Sequence, residues 1–343
     1  MSERRRIGPP GRMRPAAPAR PAHAGHLARW ERLAFALAFA AMAAFIIIVT
    51  ISSQGLHGSG VPPGTGGPAS GPGAVSAPAR GSPARIAPAG PPGVARVRAS
   101  RSWDRRLAAA LAPVLAHRAG SVGVGVVDRT TGAVAIYGGG RRFRTASVEK
   151  VAILAGLLLD QSGTGLSDAS ERRATKMIEA SDDSAATRLW NAAGRAAGMT
   201  AADENLKLAD TVPGPAEDWG LTTTTVADQL TLLRDLTSAR SPLPAAARSY
   251  ELSLMRDTDA GQRWGITAAA SPGTSYAVKD GWLPDGLAGA TDNWVINSIG
   301  LVEHDHQHLL LAVLTARQPT EAAGIATASA AAAAAAACIT AGR

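Results

Sequence analysis

The apolar positions of this chain fall into three regimes. Residues 33–51 form an uncharged run of 19 in which Thr50 is the single polar member. From 52 to 100 no hydrophobic period is visible, and Pro, Gly, Ala and Ser dominate, as in Val61-Pro62-Pro63-Gly64-Thr65-Gly66-Gly67-Pro68. From about 101 onward the pattern becomes periodic. Residues 103–118 read as an opening helix. Residues 122–127 and 133–137 carry β-branched, strand-like runs, with Asp128-Arg129-Thr130-Thr131-Gly132 as the turn between them. Helical spacing then dominates from about 146 to 260. Strand-like runs return at 275–282, 294–302 and 308–316, and a closing helix starts near Thr320. This order predicts an α/β sandwich, and no internal repeat is visible.

The first two regimes are read from composition. A run of 19 apolar residues crosses a hydrocarbon core of ~30 Å as a helix. Eight arginines precede it (Arg4, Arg5, Arg6, Arg12, Arg14, Arg20, Arg29, Arg32) against Glu3 and Glu31. Positive flanks stay inside, so 1–32 is expected to be a cytoplasmic tail, 33–51 a transmembrane helix, and the remainder extracytoplasmic. The lead and the run are both long for a cleaved signal peptide, and no clear Ala-x-Ala site follows, so the anchor is expected to be retained. Residues 52–100 have too little apolar surface to offset their ordering entropy and are expected to be a disordered linker. As a flexible coil it spans ~40 Å, and as stretched polyproline II ~150 Å.

Charge removes one class of function. The formal net charge is +8, of which 1–32 carry +6 and the linker +4, leaving −2 on 101–343. The basic residues belong to topology and tether, so no nucleic-acid partner is expected. Cys338 is the lone cysteine, follows the alanine run 330–337, and is expected to be unreactive. His304, His306 and His308 alternate, as metal ligands on one strand face would, but they lie between two strand-like runs where a solvated hairpin turn is expected. No metal and no cofactor are expected.

The chemistry starts at Ser147-Val148-Glu149-Lys150. A serine and a lysine three apart at a helix start share a face, roughly 5–6 Å apart at Cβ. The amine can then reach the hydroxyl and, with a pKa lowered by burial and nearby cations, take its proton. The chain has four lysines, and no other follows a serine by three. Ser181-Asp182-Asp183 comes next, on a helical segment, and then Lys279-Asp280-Gly281-Trp282 in a strand-like setting.

Ser-x-x-Lys, Ser-Asp-Asn and Lys-Thr-Gly, in that order, are the signature of class A β-lactamases and penicillin-binding proteins. The stretch from about 103 to 335 resembles that family. The first element matches fully, Asp183 stands for the Asn of the second, and Asp280 for the Thr of the third. Arg144-Thr145-Ala146 also resembles the family's lead-in, and Thr222-Thr223-Thr224-Thr225 its Thr-Thr segment opening a helix.

The resemblance implies the β-lactamase/transpeptidase-like sandwich for 101–343, an antiparallel sheet flanked by helices with an inserted helical region. It implies an acyl-enzyme on Ser147, with Lys150 as general base. Ser181 would relay a proton to the leaving nitrogen, and Lys279 would hold Ser181 and attract an anionic substrate. The amides of Ser147 and Trp282 would form the oxyanion hole beside Gly281.

The departures carry expectations of their own. An ionised Asp280 would repel the carboxylate of a β-lactam, slowing acylation. The segment 208–221 lacks a Glu at the family's spacing, Glu217 and Asp218 being its last acids, so deacylation is expected to be slow. Trp282 is weighed as groove wall or core; Trp264 and Trp294 read as core.

Three functions are open at this level. One is a membrane-anchored serine hydrolase with weak β-lactamase activity. Another is a D-Ala-D-Ala carboxypeptidase-type cell-wall peptidase, and the third a non-catalytic wall-binding or sensor module. The expected partner is a small-molecule β-lactam or a cell-wall peptide-like substrate, and the expected state is a monomer.

Overall fold

A computed structural model describes residues 97–159, 165–285 and 293–341. The tail, apolar run and nearly all of the linker read above lie outside these residues. The order is α1 (Arg101–Leu115), β1 (Ser121–Asp128), β2 (Val134–Tyr137), β3 (Phe143–Arg144), α2 (Glu149–Leu159), α3 (Asp168–Glu179), α4 (Asp183–Ala192) and α5 (Arg195–Asn205). It continues with β4 (Thr223–Thr224), α6 (Val226–Thr237), α7 (Ala245–Arg256), β5 (Tyr276–Pro284), β6 (Trp294–His304), β7 (Gln307–Ala316) and α8 (Glu321–Thr340). Short 3₁₀ turns interrupt this series, among them Ala146–Val148 and Trp219–Leu221.

The five long strands form one sheet in the order β2-β1-β7-β6-β5, every pair antiparallel. Alternate residues of each strand feed opposite faces. On β7, Leu309, Leu311 and Val313 pack with Leu107 and Leu111 of α1 and with the alanines of α8. Leu310, Ala312 and Leu314 pack instead with α2 and α6. Both faces are covered, which is why these strands read as near-continuous apolar runs. In α8, Ala331, Ala332, Ala335 and Ala336 are fully buried, and a side chain at Gly324 would overlap Ile296. Small residues let this helix lie close to the sheet. It is long and apolar enough to cross a membrane, but its buried stripe is part of the domain core.

The predicted strands and outer helices stand where the pattern placed them. The helical insertion begins with side-chain caps at Ser167, Asp182 and Thr225, each accepting from an amide three residues on. Thr225 therefore opens α6, while Thr223 and Thr224 pair with Phe143 and Arg144 in a ribbon too short to leave a period. The His304–His308 segment is the β6–β7 hairpin. Asp305 and His306 form its two-residue turn at φ +46° and +62°, as a type I′ turn requires. His304 Nδ1 instead bonds Ala269 O at 2.7 Å.

Candidate active site

Ser147 lies in the 3₁₀ turn that runs directly into α2, 9% exposed. Ala146, just before it, has φ +48°, a left-handed conformation that costs an alanine of order 1 kcal/mol. Neighbouring elements hold that backbone in place. Asn297 on β6 donates from Nδ2 to the carbonyls of Arg144 (2.7 Å) and Thr145 (2.9 Å), and its Oδ1 accepts from Thr315 N. Thr145 N donates to Thr222 O at 2.8 Å. On the other side runs β5. A Cβ added at Gly281 would stand 2.7 Å from both Ser147 N and Val148 N, so only glycine lets the strand approach the Ser147 backbone this closely.

Ser181 sits at the α3–α4 junction with φ +54°, the left-handed position that follows many helix ends. Asp182 is the N-cap of α4, its Oδ1 accepting from Ala185 N at 2.7 Å. That engagement gives Asp182 a structural task as the helix cap. Lys150 is fully buried and donates three bonds: to Ser181 O (2.6 Å), Ser181 Oγ (2.9 Å) and Asp183 Oδ1 (2.7 Å). Lys279, also fully buried, donates to the same Ser181 Oγ (2.9 Å) and to Asp280 O (3.0 Å). One hydroxyl oxygen thus accepts from two lysines, which uses both its lone pairs and leaves its own hydrogen to donate elsewhere. Ser147 Oγ makes no hydrogen bond among the described residues.

Burial lowers the pKa of both lysines. At Lys150 the adjacent Asp183 opposes that shift, whereas at Lys279 the charge of Lys150 adds to it. Trp219 closes over Lys150, with Nζ 4.8 Å from its ring centroid, while its indole N–H donates to Thr187. Glu217 is elsewhere, half exposed and bound to Asn191 and Arg195. The segment 208–221 therefore offers Lys150 an aromatic face rather than the carboxylate of Glu217.

Asp280 departs from its expected place. It is fully buried, its Oδ2 accepts from Trp264 N at 2.9 Å, and it lies opposite Ser298 of β6. Burial pushes its carboxyl up, to about 7. Strand alternation is the reason: Lys279 points at Ser181, so the next residue points the other way. Repulsion of a substrate carboxylate by a charged Asp280 side chain has no basis in this geometry. Trp282 is partly buried against Trp264, ring centroids 6.2 Å apart and tilted by 59°. Asn297 and Trp219 were not singled out from sequence, although an Asn inside the apolar run of β6 was a legible signal.

Comparison with known proteins agrees with the fold. Residues 170–339 match the model of the β-lactamase enzyme family. A curated relative, named "Putative lipoprotein LppW" in Mycobacterium tuberculosis, is 28% identical over 211 residues, covering 59% of this chain. The chain spans 64% of that relative's length. Among solved structures, a class A β-lactamase from Bacteroides cellulosilyticus superposes with a TM-score of 0.59 at 15% identity, covering 71% of this chain and all of that one. PBP-A, in a variant captured as an acyl-enzyme with penicillin G, superposes at 0.57 and 20% identity, covering 67% of this chain and 94% of that one. At these identities the structural likeness speaks for the fold. Residues 170–339 of this chain match the β-lactamase enzyme family, and the described domain has the fold of class A β-lactamases.

Proposed function

We propose that the domain is an extracytoplasmic, membrane-anchored serine hydrolase that forms an acyl-enzyme on Ser147 and releases it slowly. The observation that carries this reading is Ser181 Oγ held between Lys150 and Lys279, next to the start of α2 where Ser147 stands. A neutral Lys150 has two hydrogens and one lone pair, so it gives up one of its three contacts and the lone pair becomes available to Ser147, three residues earlier. Ser147 attacks a carbonyl, and its proton passes to Lys150. Ser181, whose hydrogen is free to donate, delivers that proton to the leaving nitrogen or oxygen and is reprotonated by Lys150, 2.9 Å away, which returns the amine to its neutral form. The amides of Ser147 and Trp282 stabilise the oxyanion; donors of this kind are worth ~3–4 kcal/mol each.

Slow release follows from Trp219. Deacylation needs a water beside a base, and the group over Lys150 is an indole ring. Water near it is excluded rather than activated. The anchor reading is supported by the arginine-rich segment before residues 33–51 and by the lipoprotein name of the curated relative.

The test is intact mass of the full-length protein with benzylpenicillin, alongside turnover of a chromogenic cephalosporin. The expected result is one stoichiometric adduct that outlasts the assay, with cephalosporin hydrolysed more slowly than it acylates. Rapid multiple turnover would refute the slow-release half. No adduct with any β-lactam, ester or fluorophosphonate would leave the non-catalytic module as the better reading.

A further inference from the structure

The family's amide at the third position of Ser-Asp-Asn is a carboxylate here, and its placement has a consequence for substrate choice. We propose that Asp183 is a specificity-determining residue that selects substrates carrying an ammonium group on the Ser181 side of the cleft. This rests on the acyl-serine reading above.

Asp183 holds Lys150 through Oδ1 at 2.7 Å while its side chain is 77% exposed. One oxygen is engaged inward, and the remaining acceptor capacity faces solvent at the mouth of the site. A carboxamide there could donate to a substrate carbonyl. An ionised carboxylate only accepts, so its partner must bring the hydrogen.

The surrounding charges act in the same direction. Asp182 lies close enough to act on Lys150. Glu179, half-exposed on the same edge, has its carboxyl pushed up by burial and by the charges of Asp257 and Asp259. The segment 257–262 is pinned to that edge by Asp259 N donating to Glu179 O (2.9 Å) and by Gln262 Nε2 donating to Ala180 O (2.9 Å). Glu179, Asp257 and Asp259 therefore lie together on the edge that leads into Ser181, ahead of Asp182 and Asp183. The cations of α3, α4 and the 256–263 segment are Arg172, Arg173, Lys176, Arg188, Arg256 and Arg263, and Arg263 has its Nε bound by Thr258 O. Lys150 and Lys279 are fully buried behind the surface that a ligand meets. A ligand ammonium next to Asp183 is drawn in, and a carboxylate at the same point is repelled.

The experiment compares three probes of matched length: the methyl esters of N-acetyl-lysine and N-acetyl-norleucine, and the α-methyl ester of N-acetyl-glutamate. Binding to full-length Ser147→Ala protein is measured by NMR titration, so affinity is read without any acyl transfer. The lysyl probe should bind about two- to fivefold more tightly than the norleucyl probe, the upper range for an exposed charge contact. The glutamyl probe should bind weakest. Adding Asp183→Asn should close the gap, and so should high salt. In wild-type protein the lysyl-to-norleucyl ratio of acylation rates should fall on Asp183→Asn. A ratio cancels whatever that change does to Lys150. Equal affinities, no binding of the lysyl probe, or a gap that survives Asp183→Asn would each overturn the proposal. A gap that closes as expected in a protein that no serine probe labels would uphold the Asp183 subsite and sink the acyl-serine reading instead.

Discussion

Replacing Lys150 by Met lowers the rate of Ser147 acylation by about 10²- to 10⁴-fold, the range that a positioned general base supplies. Lys150→Arg fails to restore it. The pair of variants separates two roles. Lys150 ties Ser181 and Asp183 together through three hydrogen bonds, so part of its value is architectural. A guanidinium can keep some of those bonds and the positive charge, but it does not lose a proton in a protein. If Lys150 only positions its neighbours, Arg recovers activity that Met loses. If it takes the Ser147 proton, both variants are equally slow. The measurement is stopped-flow acylation by an activated ester, with circular dichroism to verify the fold. Recovery by Arg to near the wild-type rate would remove Lys150 as the base.

Thermal stability falls as pH rises from about 5 to 8, and Asp203→Asn removes a large share of that fall. Beneath the start of α2, Glu149 lies buried beside Thr145, Thr222 and Asp203, and Asp203 is in turn near Asp228. Burial, then repulsion by Asp203, raises the Glu149 carboxyl well above its usual range. Burial, then Asp228, raises Asp203 to about 7. Burial likewise raises Asp235 to about 7, and it raises Glu251 well above its usual range.

The sign follows from proton counting. An acid whose folded pKa is raised holds its proton in the folded state while the unfolded chain has already released it. Stability is therefore greatest below the unfolded value near 4, declines as pH climbs, and carries the full penalty above the folded value near 7. For Asp203, 4% exposed, the shift from 3.8 to about 7 corresponds to roughly 4 kcal/mol as an upper bound. In a domain of this size that is about 5–10 °C in Tm, after discounting for relaxation. Melting curves from pH 4.5 to 8.5 on wild type and Asp203→Asn make the comparison. A wild-type Tm that rises with pH would show that these carboxyls are ionised and paired.

The candidate triple of Ser147, Lys150 and Ser181 was legible because two of its members sit three residues apart at a helix start and the third is marked by its ordered neighbours. The outer helices and long strands were legible because both faces of the sheet are covered, which gives apolar runs without ambiguity of type. The orientation of Asp280 was also present in the sequence. Once Lys279 is assigned to the cleft, a period of two sends Asp280 behind the strand. Reading the motif by its type of residue rather than by its strand period hid that.

Other parts were beyond local reasoning. Asn297 clamps the carbonyls of Arg144 and Thr145 from about 150 residues away. Trp219 reaches Lys150 from a segment with no regular period. Neither pairing is implied by spacing. The buried carboxyls Glu149 and Asp203 are ordinary helix residues until the tertiary fold brings α2 and α5 together. The expected anchor and linker rest on composition and charge alone, and lie almost wholly outside the described residues.

The central claim is that Ser147 is the nucleophile. Full-length wild type and Ser147→Ala are incubated with a fluorophosphonate, and the adduct is located by intact mass and peptide mapping. The expected result is a single adduct on the peptide containing Ser147 in wild type and none in Ser147→Ala, with both proteins melting alike. Labelling that persists in Ser147→Ala, or an adduct that maps to another serine, would contradict the assignment.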